Sequence, residues 1–347
     1  DFKAVSKSNF SRSNMAEYTR QAKRFIGTSE RPFYLQVNYP DAHRPFLNVV
    51  DTLPDKPLTG QDVDALPYMG IDHPELRQQT ADYYNCMMRL DSHIGKLLKA
   101  LNDSGKADET VVVYIGDHGA DLLRGKRTSY EGGVRIPMII RWPGAKGGRQ
   151  KKELVTTLDL FPTFCEIAGT QIPKSLPGRS LKPLIYGESP KWRKYLFTEF
   201  HVHSNHNPWP QRTVRDVRYK LIYNPLAGEV NPGYAFTMGK KFFDASETEL
   251  LAVASPHVRT AYKMMKQPPK YELYDLQTDP FEFKNLADDP GKEETLDRLR
   301  DELKSWQNRT GDALVDPAIA QKLFSMIREA GTSKKQALDY KPFMKIP

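Results

Sequence analysis

Val111-Val-Val-Tyr-Ile-Gly-Asp117-His118-Gly119 joins a run of β-branched residues to an acid, an imidazole and a glycine. The run reads as a buried parallel strand with ligands at its carboxyl end, where open α/β sheets place their sites. A few residues on comes Gly125-Lys126-Arg127-Thr128-Ser129-Tyr130-Glu131-Gly132-Gly133-Val134-Arg135-Ile136-Pro137. An acid and a histidine can hold a cation, and a nearby lysine can hold an anion. Together they point to hydrolysis of a charged ester or a related group. Taken singly, each piece has a plainer reading. Asp-His-Gly is then a strand end with a turn, Lys126-Arg127 a solvated basic turn, and Gly132-Gly133 a loop before a strand over 136–142.

Working outward, apolar positions at helical spacing (Tyr18, Ala22, Phe25, Ile26) predict a helix over 15–26, closed by Arg31-Pro32. Phe33, Leu35 and Val37 alternate and predict a strand over 33–39. It ends in the loop Pro40-Asp41-Ala42-His43-Arg44-Pro45. A Pro- and Asp-rich surface excursion precedes a long helix over 75–103, stopped by Ser104-Gly105. This strand–helix–strand alternation argues for α/β with a mainly parallel sheet flanked by helices. A short helix is expected over 158–168. After Trp192 the pattern changes to strands over 195–200, over 212–224 with a turn near Asp216, and from Tyr271, followed by an amphipathic helix over 294–307. The division expected is 1–189 as an α/β domain, 190–330 as a smaller α+β subdomain and 331–347 as a tail.

The chain has 347 residues, two cysteines and a net charge of +8. The length suits about two domains, and the charge favours anionic partners. No apolar run approaches the roughly 20 residues that span a bilayer. Cys86 and Cys165 lie in apolar helical patterns and are expected as buried free thiols. The chain begins with Asp1 rather than Met, so an upstream segment is expected to be missing.

The string from Val111 to Pro137 resembles the sulfatase family of the alkaline-phosphatase superfamily: strand, Asp-Asn/His-Gly, short loop, Gly-Lys, then Tyr-Glu-Gly-Gly-x-Arg-x-Pro. Leu158-Asp-Leu-Phe-Pro162-Thr163, Gly178-Arg179-Ser180-Leu181 and Tyr271-Glu-Leu-Tyr-Asp-Leu-Gln-Thr-Asp279-Pro280 extend the likeness in order. Phe200-His201-Val202-His203, followed by Pro210-Gln-Arg212-Thr-Val-Arg215, is similar to the heparan N-sulfatase (sulfamidase) branch. The resemblance implies an alkaline-phosphatase-like α/β fold and a sulfatase acting on sulfate esters or sulfamates of sulfated glycans such as glycosaminoglycans. It implies a location outside the cytoplasm: periplasmic, secreted or lysosomal.

The family works through a formylglycine made from the Cys or Ser of a Cys/Ser-x-Pro/Ala-x-Arg motif. Cys86 is followed by Met-Met-Arg and Cys165 by Glu-Ile-Ala-Gly, so the chain reads as a C-terminal portion without that motif. The paired N-terminal aspartates of the family's metal site are expected upstream as well. The missing N-terminal segment is then a required partner, and the isolated chain is expected to be inactive.

By the same resemblance Asp117 and His118 hold a divalent metal. Oxygen ligands favour Ca²⁺ or Mg²⁺, and the imidazole leaves Mn²⁺ or Zn²⁺ open. Lys126 matches the lysine that stabilises the transferring group, and His43 the histidine that contacts sulfate and protonates the leaving atom. His203 and Arg212 are candidates for recognising the sugar. Glu131 and Arg135 are expected to tie the loop after Lys126 to the sheet. Two alternatives stay open: a metal-dependent phosphodiesterase or phosphatase of the same superfamily, and a non-catalytic module that binds anionic glycans. Neither nucleic acid nor a membrane span is expected.

Overall fold

The computed structural model describes residues 15–202, 208–239 and 242–329. His203 and the expected tail fall outside them. Helix α1 (Met15–Thr28) buries Met15, Ala22 and Ile26 and packs on α2 (Pro74–Asp103). His73 caps α2, its ring accepting from the Glu75 N–H at 3.2 Å, and Pro74 sits at the first helical position, where no N–H is needed. Ser104 follows the last turn, and Gly105 turns the chain away at φ 72°.

Strand β1 (Val112–Ile115) ends two residues before Asp117 and pairs with β2 (Met138–Arg141). Between them lies α3 (Glu131–Val134), a single helical turn made by the Glu-Gly-Gly-Val segment. Downstream come α4 (Leu160–Ile167) and α5 (Lys182–Ile185), then β3 (Leu196–Val202), β4 (Pro208–Arg215) and β5 (Tyr219–Tyr223). Three helices follow, α6 (Pro232–Thr237), α7 (Glu247–Ala252) and α8 (Pro256–Lys266), then β6 (Tyr271–Asp275), α9 (Glu293–Thr310) and α10 (Pro317–Glu329). The sheet order is β3-β4-β5-β6. The turn between β4 and β5 is held by Asp216, whose carboxylate accepts from the N–H groups of Arg218 and Tyr219 at 2.7 and 2.6 Å.

Among the described residues both sheets are antiparallel, whereas the sequence pattern points to mainly parallel pairing. Residues 33–39 show why. Phe33, Leu35, Val37 and Tyr39 are half-buried while Tyr34, Gln36 and Asn38 are exposed, so the alternation is real. Yet the segment joins neither sheet among the described residues. Alternation records which face is covered and says nothing of the neighbouring strand's direction.

α9 lays Leu299 and Leu303 on Val214, Leu221 and Leu273, and its Trp306 stacks on Phe197 with ring centroids 5.2 Å apart. The largest core group crosses the expected division near residue 190. Met69, Leu76, Leu122 and Tyr130 pack with Ile222, Tyr234, Tyr262 and Tyr274. The Tyr262 hydroxyl donates to the Met69 carbonyl at 2.7 Å. The loop around Lys126 is therefore braced by both parts of the chain. Among the described residues no helix is long and apolar enough to cross a membrane.

Arg212 lies within β4, 1% exposed, and its Nε and Nη2 donate side by side to Asp312 at 2.9 and 2.8 Å. Burial alone would raise the Asp312 carboxyl, but the Arg212 hydrogen bonds and charge hold it below the usual aspartate range. A depressed folded pKa stabilises the fold above the unfolded value, near 4, and that contribution is lost as pH falls through the folded value. Acid unfolding followed by circular dichroism should therefore lose stability below about pH 4. Asp312→Asn should flatten that dependence while lowering stability at pH 7. An unchanged acid profile would remove Asp312 from the acid-labile set.

Candidate active site

Four glycines let the two motif loops pack backbone to backbone. The Gly119 N–H donates to the Gly133 carbonyl at 2.9 Å, and a Cβ on Gly119 would lie 1.8 Å from the Gly132 carbonyl oxygen. A Cβ on Gly125 would meet the Ala120 carbonyl at 2.1 Å, and one on Gly133 the Thr128 carbonyl at 2.4 Å. The glycines of Asp-His-Gly and of Glu-Gly-Gly are thus two halves of one contact. That contact sets Lys126 beside the end of β1.

Asp117, His118 and Lys126 line one cavity of about 1990 Å³. Asp117 is 86% exposed, and its Oδ2 lies 3.2 Å from His118 Nε2. His118 Nδ1 lies 2.9 Å from the Gly119 carbonyl, which makes Nδ1 the donor and turns Nε2 towards Asp117. Nε2 and the Asp117 carboxylate face each other at a spacing that one cation bridges. These two donors therefore fit as part of a metal shell. Among the described residues no group of three or more His, Cys, Asp or Glu side chains completes one. Burial pushes the Lys126 ammonium below the usual lysine range, and the carboxylates of Asp121 and Asp117 oppose it. Lys126 and Asp117 thus feel each other's charge across the site.

His43 is half-buried, and its Nδ1 lies 2.6 Å from the Arg44 carbonyl. It is not among the residues lining that cavity. Its loop is nonetheless tied to the Lys126 loop: Arg44 Nε donates to the Asp121 carbonyl at 2.8 Å, and Arg44 Nη2 to Gln79 at 2.6 Å. The structure therefore brings Asp117, His118 and Lys126 together and leaves His43 in a neighbouring loop. Arg212 is committed to Asp312 and is closed to a sugar. On the same sheet, Thr198, Glu199, Thr213 and Arg215 line the cavity instead.

Arg127 is no solvated turn residue. It forms a bidentate pair with Asp121, 8% of its side chain is exposed, and its guanidinium lies over the rings of Phe236 and Phe242 at 5.1 and 5.2 Å. Glu131 does tie the loop to the sheet, accepting from Arg215 at 2.6 Å and from Lys220 at 3.1 Å. Burial works against its charge, but Lys220 and Arg215 hold Glu131 below the usual carboxylate range. Arg135 is exposed and lines the cavity.

Sequence reading missed the layer beneath. Buried Lys220 also pairs with Glu282 at 2.9 Å, and burial pushes the Glu282 carboxyl up. Glu282 Oε2 accepts from the Glu131 N–H at 2.5 Å. Arg124 is buried over Tyr130 at 4.0 Å and Phe283 at 4.8 Å and donates to the Glu282 carbonyl at 2.8 Å. The only prior signal was the family likeness of the segment that begins at Tyr271.

Both cysteines are free, Cys86 buried and Cys165 half-buried. One further pattern was overlooked: Ser175-Leu176-Pro177-Gly178-Arg179 fits Ser-x-Pro-x-Arg by letter. Its serine sits in an exposed turn, and the Arg179 N–H donates to Asp159 at 2.8 Å. Gly178 abuts the Leu158 carbonyl, where a Cβ would come within 2.0 Å. None of the five residues lines the cavity around Lys126, so the segment is a packing turn against the start of α4.

The family profile described as Sulfatase matches residues 3–170, and that described as N-sulphoglucosamine sulphohydrolase, C-terminal, matches 116–229. An ulvan-active sulfatase of Formosa agariphila is 32% identical over 254 residues, covering 69% of this chain and 45% of the relative. Human N-sulphoglucosamine sulphohydrolase is 28% identical over 348 residues, covering 89% of this chain and 68% of the relative. The chain thus spans less than half the length of the Formosa relative. A solved 2-O GAG sulfatase superposes with a TM-score of 0.61 at 23% identity, covering 89% of this chain and 67% of that one, and shares the fold. Two overlapping profiles, the relatives and the shared fold place this chain in the sulfatase family, with an alkaline-phosphatase-like α/β fold.

Proposed function

We propose that this chain carries the sulfate-binding side of a sulfatase site that hydrolyses sulfate esters or sulfamates of sulfated glycans. The observation that carries the reading is the convergence of Asp117, His118 and Lys126 on one cavity lined by nine Lys and Arg against four Asp and Glu. That excess selects an anionic substrate. The glycan class is taken from relatives named for ulvan and for N-sulphoglucosamine. Lys126 places a fixed positive charge against the sulfuryl oxygens. His43 is the proposed donor to the leaving atom, held in the neighbouring loop that Arg44 ties to the Asp121 carbonyl. Asp117 and His118 are proposed as two ligands of a divalent metal, for which Ca²⁺ best suits the carboxylate. Bound there, the metal would act as a Lewis acid on the sulfuryl group. We place the protein outside the cytoplasm, where such glycans occur.

The test is binding to the 347-residue chain. N-sulfated glucosamine should shift the side-chain NMR signals of Lys126 and His118, and unsulfated glucosamine should leave them unmoved. Equal responses to both sugars, or a stronger response to glucosamine 6-phosphate, would overturn the reading.

A further inference from the structure

The cavity that holds Lys126 is also lined by the loop after β2, which carries Lys146, Arg149, Lys151 and Lys152. All four are exposed, and among the described residues none has an ion pair or a side-chain hydrogen bond. Gly144 and Gly148, at φ 78° and 71°, fold the loop back on itself. Gly187, at φ 86°, lets the Arg149 guanidinium lie on the backbone just after α5, where a Cβ would come within 2.1 Å of Nη1. Trp142 lines the same cavity, held edge-on by Tyr186 with ring centroids 6.1 Å apart.

Four cations within seven residues repel one another unless an anion sits among them. These line one cavity with Lys126, beside an aromatic face suited to a sugar ring. The volume, about 1990 Å³, is roughly twice the upper range of about 1,000 Å³ for small-molecule pockets, so one sulfated monosaccharide leaves most of it open.

We propose that Trp142 and the loop cations Lys146, Arg149, Lys151 and Lys152 form an extension subsite. It binds the neighbouring anionic units of a sulfated oligosaccharide whose reacting sulfate lies at Lys126. The inference rests on the sulfated-glycan reading above and adds that the substrate is a polyanionic chain gripped along several units.

Titration of the 347-residue chain with a heparin disaccharide and a heparin octasaccharide, across a salt series, tests it. The octasaccharide should bind at least about tenfold more tightly, because each further anionic unit engages at high effective concentration. The triple variant Lys146→Ser, Lys151→Ser, Lys152→Ser should lose that gain. It should also lower the slope of log affinity against log salt by about 2–3, near one unit per cation removed. All three side chains are exposed, and circular dichroism checks the variant's fold. Retention of the length gain by the variant overturns the subsite. So does equally tight binding of a thymidine oligonucleotide of the same charge, which would show charge without sugar selection. Lys126→Ala separates the two readings: it should weaken both lengths by the same factor and keep the gain. No effect of Lys126→Ala on either length would sink the sulfate site at Lys126 and leave the loop to be judged by the triple variant alone.

Discussion

Lys126→Ala is expected to lower kcat by about 10²–10³, roughly 2.7–4 kcal/mol of transition-state stabilisation, in any sulfate-hydrolysing preparation of this protein. A lysine against the transferring sulfuryl group meets more negative charge in the transition state than in the ground state, so kcat should fall further than KM rises. Partial burial strengthens the effect, because Lys126 has already surrendered some hydration, as its lowered pKa reflects. Lys126→Arg should rescue only in part, since a planar fork does not overlay a point charge. The adjacent Arg127 makes a poor control. Its pairing with Asp121 and its stacking on Phe236 and Phe242 mean that alanine there would loosen the loop itself. Lys99 on α2, exposed and paired among the described residues with Asp103, is the suitable one. Steady-state kinetics showing equal, small effects at Lys126 and Lys99 would return Lys126 to an ordinary lysine.

The second large effect lies beneath the His43 loop. Arg89 and Asp41 are both fully buried, joined by two hydrogen bonds of 2.7 and 2.9 Å, and Arg89 also donates to the Leu47 carbonyl at 2.9 Å. The pair pins the residues on either side of His43 to α2. Arg89→Ala removes the guanidinium that faces the buried Asp41 carboxylate, which should cost about 3–5 kcal/mol. Arg89→Met with Asp41→Asn should recover much of that loss, because neither side chain then carries a charge. Urea unfolding of the variants checks both. A loss below about 1 kcal/mol for Arg89→Ala, the range of an exposed pair, would mean that water reaches Asp41 and the pin is weak.

Much of the local structure was legible in the sequence. The helix expected over 75–103 is α2, with its cap at His73 and its stop at Ser104-Gly105. The turn expected near Asp216 divides β4 from β5, and the helix expected over 294–307 lies within α9. Helices α6, α7, α8 and α10 were not expected. Three of them carried readable starts: Asn231-Pro232, Ser255-Pro256, and a capping box from Ser246 to Glu249. Helices α6 and α7 hold only six residues each, too few for the apolar period to show.

The sequence by itself determined the family, the end of β1 at an acid and an imidazole, and the glycines around Lys126. Each depends on residue order within a short window. Tertiary structure alone decided which charges are buried and which meet the cavity. Arg212 looked available and is closed by Asp312, 100 residues away. Arg127 looked solvated and is held by Asp121 and two aromatic rings. Lys220 drew no notice and braces Glu131 across 89 residues. It also decided strand direction and the core shared across residue 190. A side chain's type states what it can bond to, but the cost of burying its charge is settled only by the partner that the rest of the chain brings to it.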